Sequence, residues 1–235
     1  MIKAIFFDLY YTLINYEPSR EELQAKALRE LGIEVSPEAL KLPLIAADEF
    51  IYQEIARVPI KQRPDEDKTA LFIQHQQTLL REAGIENPEK LAPRLLDKMR
   101  QYDMKLVLFD DVKPALTDLK NRGLKLGLIS NIDRDITPLL NELGISPLLE
   151  VVVTSQDTGF NKPQPEIFQE ALRQARIQPS EAMYVGDQYQ IDIVGAEKAG
   201  MKGVLLDRNG LFASAVDCQR AHSLTLLGEH LEDNS

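Results

Sequence analysis

At 235 residues and 44% apolar content, the chain is long enough to bury one good core plus a smaller domain. Its formal net charge of −10 lacks the attraction that nucleic acid or an anionic membrane needs, so neither is expected as a partner. Cys218 is the single cysteine, which excludes an intrachain disulfide or a cysteine metal cluster; with no basic leader and no apolar run of membrane-span length, a cytoplasmic protein, monomer or homodimer, is expected.

The run Ile2-Lys3-Ala4-Ile5-Phe6-Phe7 reads as a buried strand of a parallel sheet, and it ends abruptly on Asp8. A charge at the carboxyl edge of such a strand lies where open α/β sheets place ligands. The pattern then turns helical as far as about Lys105. Leu23, Ala27, Leu28 and Leu31 share one face, stopped by Gly32, and Ser36-Pro37-Glu38 supplies a hydroxyl cap with a first-turn proline. Ala46, Phe50, Ile51, Glu54 and Ile55 form another amphipathic stretch, closed near Pro59. Leu71, Gln74 and Leu79 predict a third, and Leu91, Leu95 and Met99 a fourth. Pro43 and Pro93 are expected at interruptions or in first turns.

After this helical stretch the pattern alternates. Val112-Lys113-Pro114 leads into a helix over 115–120, closed by Gly123. The strand over 124–129 ends in Ser130-Asn131, a helix over 136–143 ends at Gly144, and 149–154 is a strand. Phe160-Asn161-Lys162-Pro163 precedes a helix over 166–175. The strand over 182–185 ends in Gly186-Asp187, with Asp192 five residues further on, and 203–207 is the last clear strand. The polar tail, 228–235, is expected to fray. Alternating strands and helices imply right-handed βαβ units and so an α/β fold with a doubly wound parallel sheet.

A carboxylate, a hydroxyl, a lysine and an acidic pair thus follow in order, each just past a strand or opening a helix. Each has a plainer reading: Asp8 starting a turn, Ser130-Asn131 capping a helix, Lys162 exposed on a loop, Asp192 at a helix N-terminus. As a set, Asp8-Leu9-Tyr10-Tyr11-Thr12, Ser130, Lys162 and Gly186-Asp187 with Asp192 resemble the haloacid dehalogenase superfamily. Its motifs are D-x-D-x-T, a Ser or Thr after a strand, a Lys before a helix, and G-D-x-x-x-x-D. The resemblance spans nearly the whole chain. It implies a Rossmann-like core over 1–15 and 106–235, with an inserted all-helical cap domain over 16–105. It further implies a hydrolase acting on a small-molecule substrate, with Asp8 as nucleophile. Asp8, Asp187 and the Tyr10 carbonyl would bind Mg²⁺. Lys162 and the Ser130 hydroxyl would hold phosphate oxygens, together with Thr12 and the Asn131 backbone. Asp192 would orient Lys162 or the outer shell of the metal.

Tyr10 departs from the phosphatases of that superfamily, whose second Asp protonates the leaving alkoxide and then activates water. A phenol, with a pKa near ~10, is poorly matched to both tasks. Haloacid dehalogenases carry D-x-Y-G-T there, and their halide leaves without a proton. They need no cation, however, and their fourth motif departs from the Gly-Asp that Gly186-Asp187 keeps. Tyr11 also replaces their Gly. Arg57 and Arg63 match their substrate-binding Arg by position only and are expected on a solvated surface. Phosphate monoester hydrolysis is the first reading, dehalogenation of a 2-haloacid the second, and a catalytically weak phospholigand-binding protein the third. His75, His222 and His230 are too scattered for a histidine mechanism and are given surface or packing roles.

Overall fold

All five predicted strands form, and three more join them. The structure, a computed structural model, describes residues 1–212 and 218–231. Its strands are β1 (Ala4–Phe7), β2 (Ile14–Glu17), β3 (Lys105–Leu108), β4 (Lys125–Ser130), β5 (Val151–Thr154), β6 (Ala182–Gly186), β7 (Lys202–Leu206) and β8 (Gln219–Ala221). Helices α1 (Arg20–Glu30), α2 (Lys41–Arg57), α3 (Asp65–Glu82) and α4 (Pro88–Met99) fill the stretch between β2 and β3. Helices α5 (Val112–Asn121), α6 (Thr137–Glu142), α7 (Ser155–Thr158), α8 (Pro165–Ala175) and α9 (Val194–Lys198) follow. The chain divides into two compact units, 1–15 with 107–235, and 16–106.

In the first unit six parallel strands lie in the order β5-β4-β1-β6-β7-β8. Every residue of β1 and β6 is buried, as are the last five of β4. That is why these segments read as unbroken apolar runs and not as alternating ones: both faces of the sheet are covered. On one face α8 lays down Ile167, Phe168, Ala171, Leu172 and Ala175, a stripe at helical spacing. Phe168 meets the ring of Tyr184 edge to face, with centroids 5.2 Å apart. From β1 the strand order runs outward through β4 and β5, then returns to β6 on the other side of β1. The order therefore reverses between β1 and β6, and such a switch point opens a crevice at the carboxyl ends of its two strands. Phe7 is level with Val185 in the register, so Asp8 and Gly186-Asp187 emerge side by side there.

β2 and β3 pair as a separate two-stranded sheet. Neither carries a long apolar run, so neither was predicted. β8, the sequence Gln-Arg-Ala, is likewise invisible by pattern; its extended state comes from lying along β7. At the chain's end Leu224–His230 forms a 3₁₀ turn, so the predicted fraying is corrected as far as His230. The rest of that prediction, 232–235, lies outside the described residues.

The second unit buries Ala27, Leu28, Leu40, Leu44, Ala47, Leu79, Leu80, Ala92 and Leu95 in a core of its own. Ser19 opens α1 with a capping box, its Oγ accepting from Glu22 N while the Glu22 carboxylate accepts from Ser19 N. The Ser36 hydroxyl accepts from Ala39 N, and a 3₁₀ turn, Glu38–Leu40, leads into α2. The buried face of α2 is Leu44, Ala47, Asp48 and Ile51, a shift from the predicted Ala46 and Phe50. Pro43 sits in the first turn of α2, but Pro93 lies inside α4, which continues past it and so is not interrupted as predicted. Buried Asp48 of α2 takes both Nη atoms of Arg20 from α1, at 2.9 and 2.7 Å, and faces His75 Nε2 of α3 at 2.9 Å. Arg57 is exposed beside Glu54. Arg63 is not on a solvated surface: its guanidinium donates to the Val58 and Glu54 carbonyls and closes the end of α2. Among the described residues no helix is long and apolar enough to cross a membrane.

Candidate active site

Asp8 follows β1 directly, and its N–H donates to the Val185 carbonyl at 2.9 Å, which holds the carboxylate at the switch-point edge. Lys162 reaches the same spot from the loop before α8. Its backbone is clasped by one side chain: Asn131 Oδ1 accepts from Lys162 N at 2.6 Å and Asn131 Nδ2 donates to the Lys162 carbonyl at 3.0 Å. Asn131 thus holds the lysine through its amide, where the sequence suggested a role for its backbone.

Lys162 is 2% exposed, and its ammonium uses all three of its donors. They go to Asp8 Oδ1 at 2.6 Å, Asp192 Oδ1 at 2.6 Å and the Tyr184 hydroxyl at 2.7 Å. An exposed loop lysine is therefore ruled out. The Tyr184 hydroxyl lies 3.1 Å from the Ile129 carbonyl and 3.2 Å from Asp192 Oδ1, and donates its one hydrogen to one of them. Tyr184 escaped the sequence reading. The available signal was a tyrosine in the middle of a wholly buried strand, whose hydroxyl must find a partner.

Asp192 sits in a π-helical turn over Tyr189–Ile193, a distortion common at functional sites. Its second oxygen accepts from Gln188 N at 3.0 Å. Gly186 makes room for it, since a Cβ there would come within 2.6 Å of the Asp192 Cβ. The glycine is needed for close approach, because no side chain fits between β6 and Asp192.

Three carboxylates, Asp8, Asp187 and Asp192, offer oxygens within 4.8 Å of one another. Lys162 can balance only one of the three carboxylates, so full ionisation of the cluster calls for further positive charge. Burial pushes the Asp8 carboxyl up to about 6 against the pull of Lys162, and the charge of Asp192 adds to the rise. Burial, then the charges of Asp192 and Asp8, hold Asp187 well above the usual carboxylate range. Burial opposes the charge of Lys162, but Asp192 and Asp8 outweigh it and raise its pKa. An all-oxygen donor set whose full ionisation would leave two negative charges unbalanced fits a divalent cation. Both Asp192 oxygens are already engaged, which leaves Asp8 and Asp187 as the better ligands.

Ser130 Oγ is 3.5 Å from Asp8 Oδ1, at the limit of a hydrogen bond. Thr12 is fully buried, and its Oγ1 has no partner among the described protein groups. Tyr10 is half-buried, its backbone bridged to Ile14. Tyr11 has φ of 60°, in the left-handed region where a side chain costs roughly 1–2 kcal/mol. That is the physical reason a glycine suits this position. The structure therefore gathers Asp8, Ser130, Lys162, Asp187 and Asp192 at one sheet edge, while Arg57 and Arg63 are engaged with Glu54 in the helical unit. His75 belongs to the packing of that unit, and His222 Nδ1 is 2.8 Å from the Asp207 carbonyl.

The family described as haloacid dehalogenase-like hydrolase matches residues 2–200. This chain belongs to the haloacid dehalogenase-like hydrolases. It is 33% identical to a glyceraldehyde 3-phosphate phosphatase from Methanopyrus kandleri, over 88% of this chain and 85% of that protein. It is 30% identical to a ribulose-1,5-bisphosphate 5-phosphatase from Halopiger xanaduensis, over 97% and 98%. The crystal structure of a 2-haloacid dehalogenase from Pseudomonas syringae matches with a TM-score of 0.56 at 27% identity, covering 98% of each chain. The haloacid dehalogenase-like hydrolases thus supply the α/β core and the helical insertion seen here, and they make this chain a hydrolase.

Proposed function

We propose that this hydrolase is a phosphatase of small phosphate monoesters, with Asp8 as nucleophile and Mg²⁺ held by Asp8, Asp187 and the Tyr10 carbonyl. The observation that carries the reading is the gathering of three carboxylates around a buried lysine, at the switch point of the sheet. The substrates named for the two relatives, glyceraldehyde 3-phosphate and ribulose 1,5-bisphosphate, are both phosphate monoesters and support the choice. We assign 1–15 and 106–235 to the catalytic core, 16–105 to a substrate-selecting cap, and the protein to the cytoplasm.

An Asp8 oxygen attacks phosphorus, the ester P–O bond breaks, and the leaving alkoxide takes its proton from water. Water then cleaves the aspartyl phosphate, returning the carboxylate and releasing inorganic phosphate. Lys162 keeps Asp8 ionised and aimed, Asp192 and Tyr184 fix Lys162, and the Ser130 and Thr12 hydroxyls would hold phosphoryl oxygens. Mg²⁺, when bound, supplies the positive charge that lets an anionic nucleophile meet an anionic phosphoryl group.

Tyr10 favours a second reading, dehalogenation of a 2-haloacid, in which Asp8 attacks carbon and halide departs without a proton. A parallel screen for phosphate and halide release, with and without Mg²⁺, separates the two. Phosphate release that requires Mg²⁺ is expected, and titration calorimetry should detect Mg²⁺ binding by wild type and none by Asp187→Asn. Metal-independent halide release would establish the second reading. Accumulation of aspartyl phosphate without turnover would establish a weak phospholigand binder.

A further inference from the structure

The loop after Asp8 is held at two carbonyls. Phe109 N–H donates to the Leu13 carbonyl at 3.1 Å, and Arg208 Nη2 donates to the Thr12 carbonyl at 2.8 Å. Arg208 comes from the far side of the sheet edge, just past β7. Its guanidinium lies over the Phe109 ring, 4.0 Å from the centroid. Its Nη1 donates to Asp111 Oδ2 at 2.9 Å, and the same oxygen accepts from Ser223 Oγ at 2.7 Å and Leu224 N at 2.9 Å. The launching point is rigid: buried Asp207 accepts from Leu211 N and Phe212 N, and its own N–H donates to the Ala221 carbonyl.

This is not how an arginine best serves a carboxylate. The stable arrangement is two parallel bonds between the fork and both oxygens. Here Arg208 Nε and Asp111 Oδ1 are both buried without a partner among the described protein groups. The guanidinium is instead turned so that one arm reaches Thr12. A pair built only for stability would close the fork. The open fork leaves one arm for the Thr12 carbonyl, and Thr12 Oγ1, on the same loop, is itself buried and unpartnered among the described protein groups.

We propose that Arg208 is a positioning residue of the hydrolytic reaction, fixing the 9–14 loop so that Asp8 and the Thr12 hydroxyl face the phosphoryl group. The proposal rests on the phosphatase reading for its kinetic arm but not for its structural one. Arg208→Met and Arg208→Lys should be compared with wild type in Mg²⁺-supported phosphate release from an aryl phosphate, and in amide hydrogen exchange of the 9–15 segment. Arg208→Met should lower kcat about 10–100-fold with little change in KM, since misplacing a catalytic group costs rate more than binding. Exchange at Leu13 and Ile14, whose N–H groups donate to the Leu9 carbonyl, should quicken by about tenfold. Arg208→Lys should behave nearly as badly, because a point charge can keep Asp111 but cannot also span to Thr12 and stack on Phe109. Unchanged loop exchange, unchanged kcat, or loss of folding in both variants would overturn the proposal. If wild type releases no phosphate, the phosphatase reading fails, and loop exchange alone decides the role of Arg208.

Discussion

The Nζ of Lys162 lies 2.6 Å from Oδ1 of Asp8, across 154 residues of chain, and the pair is buried. A second carboxylate, Asp192, shares the same ammonium at 2.6 Å. Removing Lys162 therefore strands two buried negative charges. Lys162→Met should abolish turnover and lower stability by about 3–5 kcal/mol, the scale for losing one partner of a buried ion pair. A lysine on a solvated loop would cost within ~0.5 kcal/mol. Denaturant unfolding of the two proteins tells these apart.

Gly186 should tolerate no side chain. In Gly186→Ala the new methyl meets the Asp192 Cβ, and Asp192 cannot swing away without releasing Lys162 and Gln188 N. A stability loss of about 1–3 kcal/mol, typical of overpacking, should accompany a fall in activity. An alanine variant with wild-type midpoint and rate would show that the packing at this point is loose.

The polar cluster in the helical unit gives a pH prediction. Burial opposes ionisation of Asp48, but the charge of Arg20 and hydrogen bonds from His75 and Arg20 prevail, and its pKa falls below the usual 3.8. A carboxyl depressed in the folded state contributes stability above its unfolded pKa and loses it as pH falls through the folded value. Asp48→Asn should thus be less stable than wild type by on the order of 3 kcal/mol at pH 7. The gap should begin to narrow as pH falls below 3.8 and close only once pH has passed the lower, folded-state value, where the wild-type carboxyl is protonated. A gap independent of pH would mean that shape, not charge, holds α1, α2 and α3 together.

Tyr10→Asp tests the chemistry itself. If the proton shuttle is the missing part, the change should raise phosphate release, most for alkyl and sugar phosphates and least for p-nitrophenyl phosphate, whose leaving group needs no proton. The ceiling is about 10²–10⁴, the worth of general acid–base catalysis. If dehalogenation is the native reaction, halide release should fall instead, because a new charge stands beside the nucleophile. A folded, Mg²⁺-binding Tyr10→Asp protein with no leaving-group-dependent gain would sink the phosphatase reading.

What the sequence by itself determined was the order of chemistry along the chain. Ile5-Phe6-Phe7, Leu128-Ile129 and Tyr184-Val185 are apolar because a covered parallel sheet buries both faces, so whatever polar residue follows each run must stand at the carboxyl edge. That logic places Asp8, Ser130 and Asp187 without coordinates, and the helical spacing of Leu23, Leu28, Leu79 and Leu95 marks out the insertion in the same way. Only the tertiary structure decided which of those groups touch. That Asn131 clasps the Lys162 backbone, that Tyr184 takes the third donor of Lys162 and that Arg208 reaches the Thr12 carbonyl are contacts between distant residues. Strand register and helix docking create them, and a local pattern carries no record of either. The same holds for β8 and for Arg63, which take their conformation and their burial from neighbours and not from their own side chains. Periodicity reports which face of an element is buried; only packing reports against what.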